Sequence, residues 1–317
     1  SPESSAITLQ SLLDNQKDFG FEIVGVLTNP PSAKGRKKEL TPTAVGELAE
    51  KNGLPVFSPE HLDASARDSI RPLQADLLVS FAYGHIFGPK FLSLFPMGGV
   101  NIHPSLLPKY RGCTPVPAAI LNKDKQTAVT IQTLALKMDE GDILAQEIID
   151  LDGTETAESL LNYCAKSGAE LLCTVISSSE NGHLVEGKKQ EGEPSYTGII
   201  SKEDGKINWA ESVDRIEAKI RAYYPNPSCW CLEDNNPLKI LQANILSKEL
   251  AVVYENDSNY ESYECGRVLD FVKNQGIFIK TGHGILCVTK LQRQGKNVMN
   301  HKDFMNGARN FIGTVLK

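Results

Sequence analysis

Gly99-Val-Asn-Ile-His103 is an apolar stretch of strand length that ends in a polar pair, Asn101 and His103. Because successive side chains of a β-strand point to opposite faces, these two share one face of the predicted strand. Buried polar groups need hydrogen-bond partners, and ligands of open sheets bind at the carboxyl ends of strands. The pair therefore indicates a binding cleft. An isolated Asn-x-His is nevertheless more often a satisfied structural histidine beside a turn, here at Pro104 and Ser105.

Strand-like and helix-like patterns alternate on both sides of this stretch. Continuous apolar runs predict further buried strands at residues 21–27, 75–82 and 128–134. A helix with Thr41 as its N-cap follows the first run, and a long helix is predicted at residues 156–178. Strands separated by helices are typical of βαβ units, so we predict a Rossmann-like, mainly parallel sheet with both faces covered.

A change of composition separates this α/β region from the rest of the chain. Residues 187–205 are rich in Lys, Gln, Glu, Gly, Pro and Ser, which is typical of a linker. After them, short β-branched and aromatic runs at 250–254, 276–280 and 285–288 predict the strands of a small OB-like β-barrel. We therefore predict an α/β domain, a linker and a β-barrel domain, at residues 1–186, 187–205 and 206–317.

The composition limits the classes of protein to which this chain can belong. Its longest apolar runs are far shorter than the ~18–20 residues of a membrane helix, so we expect no membrane association. The seven cysteines lack the spacing of a disulfide framework or a zinc site, and we expect a reducing compartment. The net charge of −6 argues against nucleic-acid binding, but residues 265–317 contain 9 Lys or Arg against 2 Asp or Glu. This basic tail indicates either a separate partner or a merely solvated face.

Met138-Asp-Glu-Gly-Asp142 places carboxylates soon after the predicted strand at 128–134. A carboxylate at the end of a strand can orient an imidazole or take up a proton. Alone, however, Asp-Glu-Gly-Asp is more often a surface turn, since Asp and Gly are preferred turn residues. This segment and the Asn-x-His pair are much more specific together than either is alone.

Asn101-Ile-His-Pro-Ser-Leu-Leu-Pro-Lys-Tyr-Arg-Gly112, followed by Met138-Asp-Glu-Gly-Asp142, resembles the signature of the folate-dependent formyltransferases. The resemblance implies a catalytic trio at Asn101, His103 and Asp139. It also implies a folate pocket between one segment that precedes the Asn-x-His strand and the turn that follows it. The implied folate-binding residues are Phe81, Ala82, Tyr83, Gly84, Ser105, Leu106, Leu107, Pro108 and Asp142.

The family transfers a formyl group from 10-formyltetrahydrofolate to an amine, and that chemistry needs these residue types. The Asn101 amide and the His103 imidazole can donate hydrogen bonds to the carbonyl oxygen as it gains negative charge. One such donor is typically worth ~10²–10³ in rate. Asp139 can orient His103 and help to relay the proton that the amine loses. We expect no metal and no Cys or Ser nucleophile, because direct transfer needs neither.

Two further features resemble the branch of the family that formylates methionine on initiator tRNA. The loop at residues 29–42 contains a basic cluster that can bind phosphates, although such a cluster is also typical of a solvated turn. Arg221-Ala-Tyr-Tyr-Pro-Asn-Pro227, with Trp230, resembles the start of that branch's carboxyl-terminal barrel. The implied partner is methionyl initiator tRNA, and the residues expected to bind it are Lys34, Arg36, Lys37, Lys38, Lys290, Arg293 and Lys296.

Other members of the superfamily are the nearest alternatives, namely a 10-formyltetrahydrofolate hydrolase domain or an amino-sugar formyltransferase. Neither is expected to carry the basic cluster at 34–38, and a glycinamide ribonucleotide enzyme would lack the second domain. The non-enzymatic alternative is an RNA-binding protein on a decayed scaffold, against which the intact trio argues. We expect a monomer that acts in the bacterial cytoplasm or in an organelle matrix.

One departure from the family pattern concerns the amino terminus. The family opens with a β-strand that ends in Ala-Gly-(Ser/Thr)-Pro, whereas this sequence begins at Ser1-Pro2. We expect an incomplete sequence rather than a shorter protein. The absent strand would be central to the sheet, and its loss would expose a long hydrophobic edge.

Overall fold

The computed structural model describes residues 2–34, 39–308 and 310–317, and the chain divides into two compact units. The first unit consists of Ser1–Ala119, Lys125–Leu151 and Ser159–Gly198. The second consists of Ile120–Asp124, Asp152–Glu158 and Ile199–Lys317. More than half of the segment predicted as a linker thus packs with the first unit.

The first unit is built from short strands, a longer hairpin and helices. The strands are β1 (Val26–Leu27), β2 (Ser32–Lys34), β3 (Glu39–Thr41), β4 (Val56–Phe57), β5 (Leu78–Ser80), β6 (Gly99–His103), β7 (Arg111–Gly112), β8 (Gln126–Thr133), β9 (Ile143–Asp150) and β10 (Tyr196–Thr197). The helices are α1 (Glu3–Asn15), α2 (Ala44–Lys51), α3 (Ala64–Ile70), α4 (Pro89–Leu92), α5 (Pro115–Leu121) and α6 (Ala157–Ser177).

The largest sheet of this unit has the strand order β5-β6-β8-β9. Strands β5 and β6 are parallel, but β8 runs antiparallel to both β6 and β9. The Rossmann-like α/β architecture is as predicted, but the sheet is mixed rather than mainly parallel. The reason is that the chain re-enters the sheet near the edge at which β6 ends, so that Thr130 of β8 pairs with His103.

Helix α2 illustrates how local chemistry sets the bounds of an element. The predicted N-cap, Thr41, instead ends β3, and the helix is capped two residues later by Thr43. The hydroxyl of Thr43 accepts a hydrogen bond from the Gly46 N–H at 3.2 Å. This bond satisfies one of the N–H groups that have no partner in the first helical turn.

A cavity of about 620 Å³ lies in the first unit and is lined by both β1 and β5. Among the described strands, β1 pairs only with β4 and β5 pairs only with β6. Apolar side chains of α1, including Leu9 and Leu12, complete much of its wall. An apolar cluster of Tyr83, Phe87 and Phe91 packs beside β5. That a further strand precedes Ser1 stays a prediction.

The second unit is a six-stranded antiparallel sheet with a barrel-like arrangement and three described α-helices. Its strands are β11 (Cys229–Glu233), β12 (Asn236–Ile245), β13 (Val268–Val272), β14 (Gly276–Lys280), β15 (Ile285–Arg293) and β16 (Met299–Asn300). Its helices are α7 (Val213–Ala222), α8 (Lys248–Glu255) and α9 (His301–Asn306). The strands predicted at 276–280 and 285–288 are confirmed. The strand predicted at 250–254 is wrong, because these residues lie in α8, where Ala251 faces the core.

The cysteines are all free, and most of them are buried. The exposed one is Cys113, directly after β7, and Cys265 is half-buried. In the described part of the chain, no helix combines the length and the hydropathy that a membrane span requires.

Candidate active site

Strands β6 and β8 present a row of polar side chains on one face of the sheet. Asn101 pairs with Gln132 across the two strands, and His103 pairs with Thr130. Since side chains alternate along each strand, these four groups share a face. The intervening Ile102 points to the opposite face. There, a Cβ atom on Gly168 of α6 would lie only 2.4 Å from the Ile102 side chain. One face of the sheet is therefore apolar and packed, and the other is polar and covered by loops.

His103 is buried, with 3% of its surface exposed, and both ring nitrogens face protein atoms. Nε2 lies 3.0 Å from the Tyr110 carbonyl oxygen, which can only accept, so Nε2 carries the hydrogen. Nδ1 lies 3.5 Å from Asp139 Oδ1. Burial lowers the pKa of His103, and the opposing effects of Asp139 and of the Tyr110 carbonyl do not outweigh it. The ring is therefore neutral at pH 7, with a bare Nδ1 that can accept a proton.

This geometry changes one expectation about His103. Its ring N–H already donates to Tyr110, so it is not available for the carbonyl oxygen of a substrate. Within the described part of the chain, the Asn101 side chain makes no hydrogen bond, although it shares the face of His103. Of the two, Asn101 is therefore the side chain whose amide hydrogens are not used within the described residues.

Asp139 lies in the hairpin connection between β8 and β9, which folds back over the polar face. Its Oδ1 accepts a hydrogen bond from Gln132 Nε2 and its Oδ2 accepts one from the Gly112 N–H, both at 2.8 Å. The backbone of Asp139 has a φ of 56°, a left-handed conformation that Asp adopts more readily than most residues. A Cβ on Gly141 would lie 1.7 Å from the Thr133 carbonyl oxygen, so the sharp return of this loop requires glycine.

Gln190 is a residue of this site that the sequence gives no reason to select. Its Nε2 donates to the carbonyl oxygens of Asp139 and Gly141, each at 2.8 Å. Its Oε1 accepts from Arg111 Nε and Nη2, at 3.1 and 2.8 Å. A lone glutamine in a polar, linker-like segment carries no signal of such a role. The short parallel pairing of β10 with β7 brings this segment over the site.

The predicted folate-binding segments follow two neighbouring parallel strands. Residues 81–84 follow β5 and residues 105–108 lie just beyond β6, so both leave the sheet at the same edge. Phe81, Tyr83, Ser105 and Leu107 are buried, while Ala82 and Gly84 are exposed and Leu106 and Pro108 are half-buried. The Ser105 hydroxyl donates to the Lys109 carbonyl at 2.6 Å, which fixes the turn. Asp142 forms an ion pair with Lys189 at 2.9 Å. Folate binding by these residues stays a prediction.

The predicted tRNA-binding residues divide into three groups. Lys34 ends β2, paired with Glu39 of β3, and Arg36, Lys37 and Lys38 lie outside the described residues. Lys290 and Lys296 are exposed in the second unit. Arg293 differs from them because its Nε and Nη2 contact the Glu233 carboxylate at 2.6 and 2.5 Å. Its guanidinium is therefore engaged within the protein.

Clusters of three or more His, Cys, Asp or Glu side chains that could hold a metal ion are absent from the described residues. That the reaction needs no metal stays a prediction.

Comparison with known proteins identifies the family. The sequence model of the family described as formyl transferase matches residues 3–176, and that of its C-terminal domain matches residues 199–309. A methionyl-tRNA formyltransferase of Treponema denticola is 44% identical over 302 residues, which cover 92% of this chain and 91% of that protein. A methionyl-tRNA formyltransferase of Borreliella burgdorferi is 35% identical over 312 residues, covering 98% of this chain and 96% of that protein.

A solved structure agrees with the fold. WlaRD, a sugar 3N-formyl transferase crystallised in the presence of dTDP and 5-N-formyl-THF, superimposes with a TM-score of 0.60 at 20% identity. The match covers 92% of this chain and 95% of WlaRD. At that identity the likeness shows the fold alone. From the sequence matches, the chain belongs to the formyl transferase family, with methionyl-tRNA formyltransferases as its relatives.

Proposed function

We propose that this protein transfers the formyl group of 10-formyltetrahydrofolate to the amino group of methionine on initiator tRNA. The proposal rests on the convergence of His103 and Asp139 on the sheet face that also bears Asn101. His103 Nδ1 lies 3.5 Å from Asp139 Oδ1. The identity of 44% to a methionyl-tRNA formyltransferase supports the same substrates.

The three side chains have distinct tasks in such a transfer. Bound 10-formyltetrahydrofolate supplies the formyl group. The Asn101 amide, which has no partner among the described residues, donates a hydrogen bond to the carbonyl oxygen as that oxygen gains charge. As the amine nitrogen bonds to the formyl carbon, the bond between that carbon and the folate nitrogen breaks. The proton that the amine loses passes to His103 Nδ1, which is bare at pH 7 because burial lowers the pKa of the ring, and then to the departing folate nitrogen. Asp139, beside that nitrogen, stabilises the resulting imidazolium.

The segments after β5 and β6 fit a folate in their chemistry. They combine the apolar side chains of Tyr83 and Leu107 with the exposed backbone of Ala82 and Gly84. Ala82 and Gly84 both have positive φ, at 50° and 83°, which turns successive backbone groups in directions that a regular strand does not offer. A pterin ring, flat and rich in hydrogen-bonding groups, matches an apolar pocket with a few polar backbone contacts.

The tRNA is proposed to contact both units. The cluster at residues 34–38 would hold phosphates near the amino-acid end, so Arg36→Ala should lower kcat on charged tRNA by up to ~10²-fold through misplacement of that end. Lys290 and Lys296 would give a diffuse, salt-dependent contact. Arg293 should contribute less than either lysine because Glu233 neutralises it.

The salt dependence of tRNA binding tests these contacts. Each of Lys290→Ala and Lys296→Ala should reduce the slope of log affinity against log salt by about one unit. Lys51→Ala, which removes an exposed lysine at the end of α2, is the matched control and should leave the slope unchanged. Equal slopes for all three variants and the wild type would argue against tRNA binding by the second unit.

The decisive experiment is an assay with labelled 10-formyltetrahydrofolate and methionine-charged initiator tRNA. We expect label on the methionine amino group and none on uncharged tRNA. Transfer to an amino sugar instead would favour an amino-sugar formyltransferase, and release of labelled formate without an acceptor would favour a hydrolase. We further propose that the enzyme acts as a monomer in the bacterial cytoplasm or an organelle matrix, where initiator tRNA is used. Sedimentation and localisation of the tagged chain test these two points.

A further inference from the structure

The Asp139 carboxylate lies at the end of a chain of hydrogen bonds that begins at Arg111. Arg111 donates through Nε and Nη2 to Gln190 Oε1. Gln190 Nε2 lies 3.3 Å from Gln132 Oε1, and Gln132 Nε2 lies 2.8 Å from Asp139 Oδ1. Two side-chain amides thus connect a guanidinium to the carboxylate that faces His103.

The guanidinium fixes the direction of this chain because arginine can donate but never accept. Gln190 must turn its oxygen to Arg111 and its nitrogen away from it. The same nitrogen lies 2.8 Å from the carbonyl oxygens of Asp139 and Gly141, which can only accept. Gln132 presents its nitrogen to the Asp139 carboxylate, which accepts, and its oxygen then faces the Gln190 nitrogen at 3.3 Å, a longer contact than the two carbonyl bonds.

We propose that Gln132 and Gln190 are positioning residues that hold the Asp139 carboxylate beside His103. Oδ1 accepts from Gln132 and Oδ2 accepts from the Gly112 N–H, so each oxygen has a donor and the orientation of the carboxylate is fixed. The carboxylate held in this way faces His103 Nδ1, which takes up the proton that the amine loses. The inference rests on the proposed function, in which these two residues handle that proton.

Burial makes the amide of Gln132 hard to replace. Its side chain lies on β8 and only 1% of the residue is exposed, so water cannot take the place of a missing donor. An apolar side chain of the same length would leave the half-buried Asp139 carboxylate without one of its partners, which costs more than the loss of an exposed hydrogen bond.

Three basic side chains of the described residues contact carboxylates of this loop other than Asp139. Arg111 of β7 contacts Glu140 at 3.3 Å, and Lys137 also contacts Glu140, at 3.7 Å. Lys189 contacts Asp142 at 2.9 Å. His103 of β6 is thus the group that faces Asp139 with a nitrogen able to gain a charge.

Two substitutions of Gln132 test the inference. Gln132→Met removes the donor, and kcat should fall about 10-fold or more while KM for both substrates changes by less than about twofold. Gln132→Glu places two carboxylates in contact, which then share one proton. The acid side of its kcat–pH profile should therefore move to higher pH by about one unit or more, and its activity should recover partly as pH rises.

Gln126→Leu is the matched control. Gln126 lies on the same strand and its Nε2 donates to the Asp150 carboxylate at 2.7 Å, but on the exposed surface. This variant should keep the wild-type kcat and pH profile. Should Gln132→Met retain kcat within about twofold of the wild type, or Gln132→Glu keep the wild-type acid limb, the inference is overturned. Should either Gln132 variant fail to fold, Gln190→Met is measured instead, with the same expected fall in kcat at constant KM.

The inference and the proposed function can fail separately. If the wild-type chain formylates no methionyl-tRNA, the proposed function fails and kinetics no longer apply. The ring signals of His103 in an NMR titration then decide the inference. They should titrate at higher pH in Gln132→Glu than in the wild type, because once the shared proton leaves the two carboxylates, the ring faces one more negative charge, which stabilises the imidazolium. Identical titration curves in the two proteins would show that Gln132 has no influence on the pair.

Discussion

Two regions of the first unit differ in strand pairing and packing. One is the polar face of β6 and β8, and the other is formed by the edges of β1 and β5 that line the cavity. On the polar face, strands pair on both sides, and His103 and Asp139 have partners at defined distances. Along the cavity, β1 and β5 each pair on one side alone among the described strands, and apolar side chains border open space.

This difference indicates which part of the first unit is more rigid. The residues proposed to handle the proton lie where hydrogen bonds fix their orientation. One predicted wall of the folate pocket, residues 81–84, instead follows β5, which borders the cavity. Regions with fewer buried contacts open more easily than a packed core. We therefore expect variants on the two regions to differ in kind, and the following experiments test that expectation.

The largest effect should come from Asp139→Asn. The substitution keeps the shape of the side chain but removes the charge that stabilises a protonated His103, so kcat should fall by ~10²–10⁴-fold. Single-turnover formylation of charged tRNA measures it. Asp150→Asn is the control, since the Asp150 carboxylate is exposed at the far end of β9 and accepts a comparable amide hydrogen bond. Comparable losses in both variants would contradict the special role of Asp139.

The next largest difference between the two regions should be in the free energy of unfolding that is lost when a side chain is truncated. Ile102→Ala empties a fully buried position behind the polar face, and such truncations cost ~2–5 kcal/mol. Val24→Ala, at the cavity wall, should cost about 1 kcal/mol or less, because the side chain already borders open space. Denaturant unfolding of the whole chain, followed by hydrogen exchange in β6 and β1, gives both values. Equal costs would show that the cavity is as well packed as the sheet.

Two glycine substitutions, which add a methyl group instead of removing side-chain atoms, should give a smaller difference in stability between the two regions. A Cβ on Gly168 meets Ile102 and Val129 at 2.4 and 2.8 Å in the packed layer, so Gly168→Ala should cost ~1–3 kcal/mol. A Cβ on Gly25 meets the end of Leu73 at 2.8 Å, but Leu73 lines the cavity and can move into it. Gly25→Ala should therefore change stability by less than about 1 kcal/mol. The same unfolding measurement decides the order, and a reversed order would refute it.

The smallest effect concerns pH. Burial lowers the pKa of His103 below its ordinary value of about 6.5, so the unfolded chain takes up a proton before the folded chain does. Stability should accordingly decrease as pH falls from about 6.5 towards the lowered pKa, and His103→Gln should remove that part of the dependence. His61→Gln, at an exposed histidine, should leave the dependence unchanged. Thermal unfolding between pH 7.5 and about 5 measures the effect.

The extent to which the sequence predicts this structure differs from element to element. The strand Gly99–His103 has the predicted bounds because a short apolar run flanked by a turn signal is decided locally. The direction of β8 depends on where the chain re-enters the sheet, which periodicity does not encode. Residues 250–254 have β-branched side chains, yet they form part of α8 because tertiary context outweighs an intrinsic preference.

The site shows the same limit. The resemblance to the formyltransferase signature implies Asn101, His103 and Asp139, and the structure brings His103 and Asp139 together. The sequence alone does not show that the Tyr110 carbonyl accepts the His103 N–H, because that contact depends on the turn between the two residues. Nor can it select Gln190, which lies 51 residues from Asp139 in the chain and reaches it through the pairing of β10 with β7.

The different burial of the free cysteines favours labelling of one native thiol over the others. Burial raises the pKa of Cys164 and Cys229 to about 12 and that of Cys287 to about 11, so these thiols are protonated and shielded at neutral pH. Cys113 is exposed and follows Gly112, whose N–H contacts Asp139. A maleimide fluorophore should therefore react first at Cys113, and its emission would report directly on events beside the Asp139 carboxylate.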